Sequence, residues 1–171
     1  MKAFRFVVAG LAAGLVLAGA QAHAADYKLR LHTLVKSPHP YNDMADYMKT
    51  TLAAKSDGKI EVQIFDAGQL GQDPAVIGEM GLGTIDLMVS STSNGVKQIP
   101  EFQVFSIPYL FTGIDDVMAK VGPGSKAETY FKKVYEDRKL NMHLLAIGVA
   151  GARNMANSVK PVNSLADISG M

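Results

Sequence analysis

The sequence predicts an α/β domain with a mainly parallel sheet flanked by helices, and three observations carry that expectation. Short apolar runs alternate with helical periodicities in the order strand, helix, strand, helix, strand, helices, strand. Glycine, proline, serine and aspartate mark nearly every change of period. The chain has no cysteine, so packing alone must hold it together.

The first two dozen residues read as an address. Lys2 and Arg5 make a basic start, Phe6 to Ala20 is apolar, and Ala22-His23-Ala24 gives a small-x-small cleavage pattern. The apolar run is shorter than the roughly 20 residues a membrane span needs. Residues 1–24 are therefore expected to be a cleaved signal peptide, leaving an exported, periplasmic chain that does not itself span a membrane. Without Lys2 and Arg5 the balance is 15 basic against 16 acidic residues, a net charge of −1. No basic stripe remains to suit nucleic acid or an anionic membrane surface.

Each element follows from its residues. Tyr27, Leu29 and Leu31 alternate with Lys28, Arg30 and His32, as a strand does. Ser37-Pro38-His39-Pro40 breaks the chain and starts a helix on whose face Tyr41, Met44, Ala45, Met48 and Leu52 recur; Ser56-Asp57-Gly58 ends it. Ile60, Val62 and Ile64 form a second strand. Asp73-Pro74 reads as an N-cap with a first-turn proline, opening a helix that ends near Gly81 or Gly83. Ile85 to Val89 is a buried strand running into the polar cluster Ser90 to Asn94. After the aromatic connector Phe102 to Phe111, Thr112-Gly113-Ile114-Asp115 resembles a capping box for a helix to Val121. Ser125-Lys126-Ala127-Glu128 is a cleaner box for the next helix. A last strand is expected over Met142 to Val149. Met44, Met48, Met80 and Met88 read as core, and His32, His39 and His143 have no metal-ligand spacing.

In parallel sheets ligands sit beyond the carboxyl ends of strands. The loops at 34–40, 68–73, 90–94 and 151–157 all fall at such ends. The last follows the run Leu144 to Ala150, which breaks at Gly148 and Gly151 and delivers Arg153. A guanidinium at the end of a buried strand needs an anion. It is either an internal acid, Asp86 or Asp167, or a ligand carboxylate gripped by the planar two-pronged donor.

Several phrases, in one order and spacing, carry a family resemblance. They are Ser56-Asp57-Gly58-Lys59-Ile60, Gly68-Gln69-Leu70-Gly71, Gly83-Thr84-Ile85-Asp86, Ile107-Pro108-Tyr109-Leu110-Phe111, Gly151-Ala152-Arg153-Asn154, and the segment from Pro161 to Met171. The chain resembles the periplasmic solute receptors of TRAP (tripartite ATP-independent periplasmic) transporters, whose founding members carry C4-dicarboxylates. The resemblance implies a periplasmic-binding-protein-like (type II-like) lobe over residues 25–150, and a crossing segment with the start of a second, largely missing lobe over 151–171. It implies a receptor that captures a small organic acid and hands it to TRAP membrane permease subunits, with no cofactor, no metal and no nucleic acid. A chain holding one lobe is expected to bind ligand poorly, with a hinge in a crossing strand near 154–159.

Carried over position by position, the resemblance implies ligand contacts at Leu34, Asp73, Ser90, Ser91, Asn94 and Arg153, with His39 added for its loop. Relatives that bind sialic acid carry a carboxylate where Ser91 stands and an arginine where Asn94 stands, which points this chain toward a smaller or less polar acid. Asn154 and Asn157 read as turn caps.

Two other classes compete. A receptor for an ATP-driven importer would share the lobes, but the Gly-Gln-Leu-Gly and Pro-Tyr-Leu-Phe phrases fit it less well. A periplasmic enzyme would need a catalytic constellation, and no Gly-x-Ser-x-Gly, His-Glu-x-x-His, thiol or carboxylate pair near a histidine is present.

Overall fold

The computed structural model describes residues 25–152, 154 and 156–171. Its sheet is parallel and three-stranded, in the order β2-β1-β3. β1 (Tyr27–Thr33) pairs with β2 (Ile60–Phe65) from Tyr27↔Ile60 to His32↔Phe65, and with β3 (Leu87–Val89) from Leu31↔Leu87 to Thr33↔Val89. β1 and β2 are joined through α1 (Pro40–Lys55), and β2 and β3 through α2 (Asp73–Gly81).

Alternation along β1 assigns the two faces. Leu29 and Leu31 pack with Ala45, Met48 and Leu52 of α1 and with Val62, Leu87 and Val89. His32 points the other way, to Asp73 at the start of α2. The central strand is thus covered on both sides, and its last three residues are buried. A second core gathers Ile99, Phe102, Val121, Phe131, Val134 and Ile147. Phe102 and Phe105 each lie 5.1 Å from the Phe131 ring centroid, within the range of favourable aromatic pairs.

The helix starts show where local signals hold and where they shift. α1 begins on Pro40, capped by His39, whose Nδ1 accepts the Tyr41 N–H at 3.1 Å. α2 is capped at Gln72, so Asp73 is its first residue and not its N-cap; the proline behind it keeps its place in the first turn. The box expected at Thr112 does not form. α3 (Ile114–Val121) is capped by Gly113 without a side chain, and the Thr112 N–H is taken by Asp116. In α4 (Lys126–Asp137), Ser125 Oγ accepts the Glu128 N–H at 3.0 Å, while Glu128 reaches back one residue further, to the Gly124 N–H at 2.7 Å.

The expected strand over Met142–Val149 is also absent: these residues adopt no regular structure and make no backbone–backbone hydrogen bond with any described residue. A strand exists only with a neighbour to pair with, and a cavity, not another strand, lies between this run and β3. Met44, Met48, Met80 and Met88, read as core, border that cavity, and Met44 is 38 % exposed. No described residue of 154–159 is in a strand; Asn157 Oδ1 instead accepts from the Val159 and Lys160 N–H groups, the turn cap expected of it.

Two predictions follow from the α4 start. Ser125→Ala should cost about 1 kcal/mol in urea unfolding, the usual value of an N-cap hydroxyl. The Gly124 N–H, and then the Lys132 ammonium, hold the Glu128 carboxyl below the ordinary 4.5. That stabilisation is present above pH 4.5 and is lost as pH falls through the lower folded-state value. Glu128→Gln should therefore flatten the decline of stability in acid, measured as urea midpoints below pH 5.

Candidate functional site

The loops after β1, β2 and β3 meet at the carboxyl edge of the sheet. The first two are joined by backbone: Ala67 N–H donates to Val35 O at 3.1 Å and Gly68 N–H to Thr33 O at 3.2 Å. Gly68 has φ +70°, and a Cβ there would lie 3.3 Å from Leu34 Cδ1, so glycine suits both the backbone and the close approach. Asn42 braces the first loop from α1, accepting from Thr33 Oγ1 at 2.5 Å and donating to Val35 O at 3.1 Å.

The second and third loops are joined through Asp73. Its carboxylate is 1 % exposed and is surrounded by donors. Oδ1 lies 3.0 Å from His32 Nε2; Oδ2 accepts from Ser90 Oγ and, at 2.5 Å, from Asn94 Nδ2. Because a carboxylate only accepts, Nε2 of His32 carries the proton in this bond. Charge-assisted bonds of this kind offset the cost of burying the carboxylate. His32 is fully buried, and its Nδ1 has no partner among the described residues.

The residues singled out from sequence fall into three groups. Asp73, Ser90 and Asn94 come together in one network. Ser91 sits beside it, half-buried, capping the 3-10 turn Thr92–Gly95, with its Oγ 2.7 Å from Ser93 Oγ. Leu34 lies against Gly68 on the same edge. His39 stands apart, engaged as the cap of α1 and edge-on to Tyr41 at 4.7 Å between ring centroids. Arg153 lies outside the described residues. Of the acids considered as its internal partners, Asp86 accepts the Arg30 N–H at 2.7 Å. Asp167 accepts from Asn163 N, Ser164 N and Ser164 Oγ, bonds that hold its carboxyl below the ordinary carboxylate value.

His32 was missed as a member of the site. Alternation with leucine leaves open whether His32 faces solvent or core; the signal that finds it is topological, since a central strand with a helix on each side has no wet face. Among the described residues no cluster of His, Cys, Asp or Glu could hold a metal, and no helix is long and apolar enough to cross a membrane.

An α/β lobe with polar loops gathered at the carboxyl edge of a parallel sheet is the architecture of a ligand-binding domain. The chain belongs to the bacterial extracellular solute-binding protein family 7 (DctP), whose family model matches residues 31–171. It is 28 % identical over 155 residues to a solute-binding protein of Roseobacter denitrificans, covering 91 % of this chain and 46 % of that one. It is 28 % identical over 120 residues to the 2,3-diketo-L-gulonate-binding periplasmic protein of Escherichia coli, covering 70 % and 35 %. The fold is similar to that of a TRAP periplasmic solute binding protein from Citrobacter koseri with bound D-glucuronate. There the TM-score is 0.59 and the identity 25 %, over 66 % of this chain and 37 % of that one. A Sulfurospirillum deleyianum receptor with bound succinate gives TM-score 0.59 at 23 % identity, over 67 % and 36 %, a likeness of fold. This chain thus spans about half or less of the length of the curated relatives it matches.

If the carboxylate organises this edge, removing it leaves His32, Ser90 and Asn94 with unpaired groups in a buried place. Asp73→Ala should destabilise the chain by about 3 kcal/mol in urea unfolding, while Asp73→Asn, which keeps one acceptor, should cost less. His39→Ala, which removes only a cap, should cost about 1 kcal/mol.

Proposed function

We propose that this chain is the first lobe of an extracytoplasmic receptor that captures a small organic acid and passes it to a TRAP-type permease. The observation that carries the reading is the edge where Asp73 ties β1, α2 and the β3 loop into one rim, with Ser91 beside it at the start of the next turn. In this reading Asp73, Ser90 and Asn94 brace the rim, and Asp73 does not touch ligand. Leu34 supplies apolar contact. Arg153 supplies the positive charge, pairing in a bidentate manner with the ligand carboxylate. His39 serves α1.

Family membership and relatives named for the periplasm support residues 1–24 acting as an export signal. Sugar acids and a dicarboxylate bound by proteins of this fold support an acid as ligand. An enzyme reading has no comparable support, since the network has no nucleophile held by a base: the carboxylate sits between the histidine and the serine, so Ser90 Oγ donates to Asp73 and not to His32.

Ligand-observed NMR on the chain, sensitive to weak binding, tests the reading with succinate, D-glucuronate and D-galacturonate against succinamide and glucose. The acids should show binding and the neutral counterparts none. Arg153→Ala should weaken acid binding by tens of fold, the equivalent of a charge-assisted pair of about 2 kcal/mol. Equal binding of neutral and acidic compounds, or an unchanged Arg153→Ala variant, would sink it.

A further inference from the structure

Three donors converge on the buried carboxylate of Asp73, and their arrival decides which way the polar atoms around it face. Oδ1 takes the Nε2 proton of His32 at 3.0 Å, while Oδ2 takes both the Ser90 hydroxyl and the Asn94 amide nitrogen. A carboxylate only accepts, so the Asn94 amide turns its nitrogen inward and its oxygen outward. The same nitrogen lies 3.5 Å from Ser90 Oγ, so both of its hydrogens point into the network. Asn94 Oδ1 has no partner among the described residues and, unlike His32 Nδ1, is not shut away from solvent.

The consequence is a stretch of rim that accepts hydrogen bonds and does not donate them. The Ser90 proton and the amide hydrogens of Asn94 are given to Asp73 and to each other, and lone pairs are what these side chains offer outward. Ser91 and Ser93 bond to one another at 2.7 Å and keep one hydroxyl proton between them. No lysine or arginine lies within ion-pair distance of Asp73 among the described residues. A second carboxylate on a ligand, itself only an acceptor, finds a single donor here and a buried carboxylate behind it. A ligand hydroxyl finds a match, because its proton has Asn94 Oδ1 to go to. His32 sets this polarity: by occupying Oδ1 it confines the other two donors to Oδ2. Its Nδ1 has no partner among the described residues, so Asp73 is what holds the ring.

We propose that this rim selects hydroxylated monocarboxylates over dicarboxylates, with Asn94 Oδ1 accepting from a ligand hydroxyl. His32 is the positioning residue: acting through Asp73, it keeps the Asn94 amide with its oxygen outward. The inference rests on the acid-binding reading above and narrows it. That reading asks for one carboxylate and leaves the rest of the ligand open; the polarity of the rim requires the part that meets Asn94 to be a donor. It specifies a chemical class, an acid bearing hydroxyls such as an aldonate, and not a chain length.

Ligand-observed NMR on the chain tests this with acids matched in length: butyrate, D-erythronate and succinate, then hexanoate, D-gluconate and adipate. At each length the hydroxy acid should bind about tenfold or more tighter than the dicarboxylate, the effect of one hydrogen bond gained and like charges avoided. On the isotope-labelled, unaltered chain, the hydroxy acid should shift the Asn94 side-chain carbonyl carbon while the Asn94 amide protons stay protected from exchange. That measurement does not depend on any variant folding. His32→Leu, which cannot donate, should bring the ratio of the two affinities close to one. His32→Gln, whose amide can reach Asp73, should restore it; a histidine that only filled space would weaken both acids alike and leave the ratio unmoved. A dicarboxylate bound as tightly as its hydroxy acid would overturn the inference and leave the acid-binding reading standing. So would Asn94 amide protons that lose protection on binding, or an unchanged ratio in folded His32→Leu. Glucose binding as tightly as every acid would sink that reading and this one with it.

Discussion

The carboxylate of Asp73 is the constraint on which the carboxyl edge of this lobe depends. A buried carboxylate is tolerated only if its lone pairs are met by donors. Here the donors come from three places in the sequence: the end of β1, the residue after β3 and the 3-10 turn beyond it. Meeting the needs of one side chain therefore fixes the relative positions of three segments. Asn42 does the corresponding work on the opposite face, holding the β1 loop to α1 through Thr33 and Val35. The rim is built from buried polar ties because the strands that lead into it are short. β3 contributes only three residues of ladder, too few to fix the loop that follows.

This arrangement divides labour among residues that look alike in sequence. Ser90 and Ser91 are neighbours, yet Ser90 turns its hydroxyl inward to the carboxylate while Ser91 caps the next turn on the rim. Asn94 is drawn inward in the same way. What remains on that loop is small and uncharged, so the acid-binding reading proposed above has to draw its cation from elsewhere in the chain. That is the physical reason for giving weight to Arg153 rather than to any residue of the β3 loop.

Much of this was legible in the sequence. The βαβ periodicity places β1, α1, β2, α2 and β3 correctly, because each carries its own turn chemistry and an apolar pattern that one neighbour is enough to satisfy. The convergence of the loops after β1, β2 and β3 was legible for the same reason, since topology alone puts them there, whereas the loop expected at 151–157 follows no strand. Two features were not. His32 could not be placed on surface or core, because alternation alone cannot tell a strand with one wet face from one covered on both. The run at 142–149 has the composition of a strand, but composition supplies only one side of a ladder. The partner is a property of the whole sheet, and no local window contains it.

That last point bears on how the open edge and the rim are connected. β3 is held from one side, and its final residue leads directly into Ser90 and Ser91. The cavity reaches the same residues, with Ser90, Ser91 and Thr92 at one end of its wall. With one neighbour and three residues of ladder, β3 leaves the placement of Ser90 and of Asn94 beyond it to the bonds they make with Asp73.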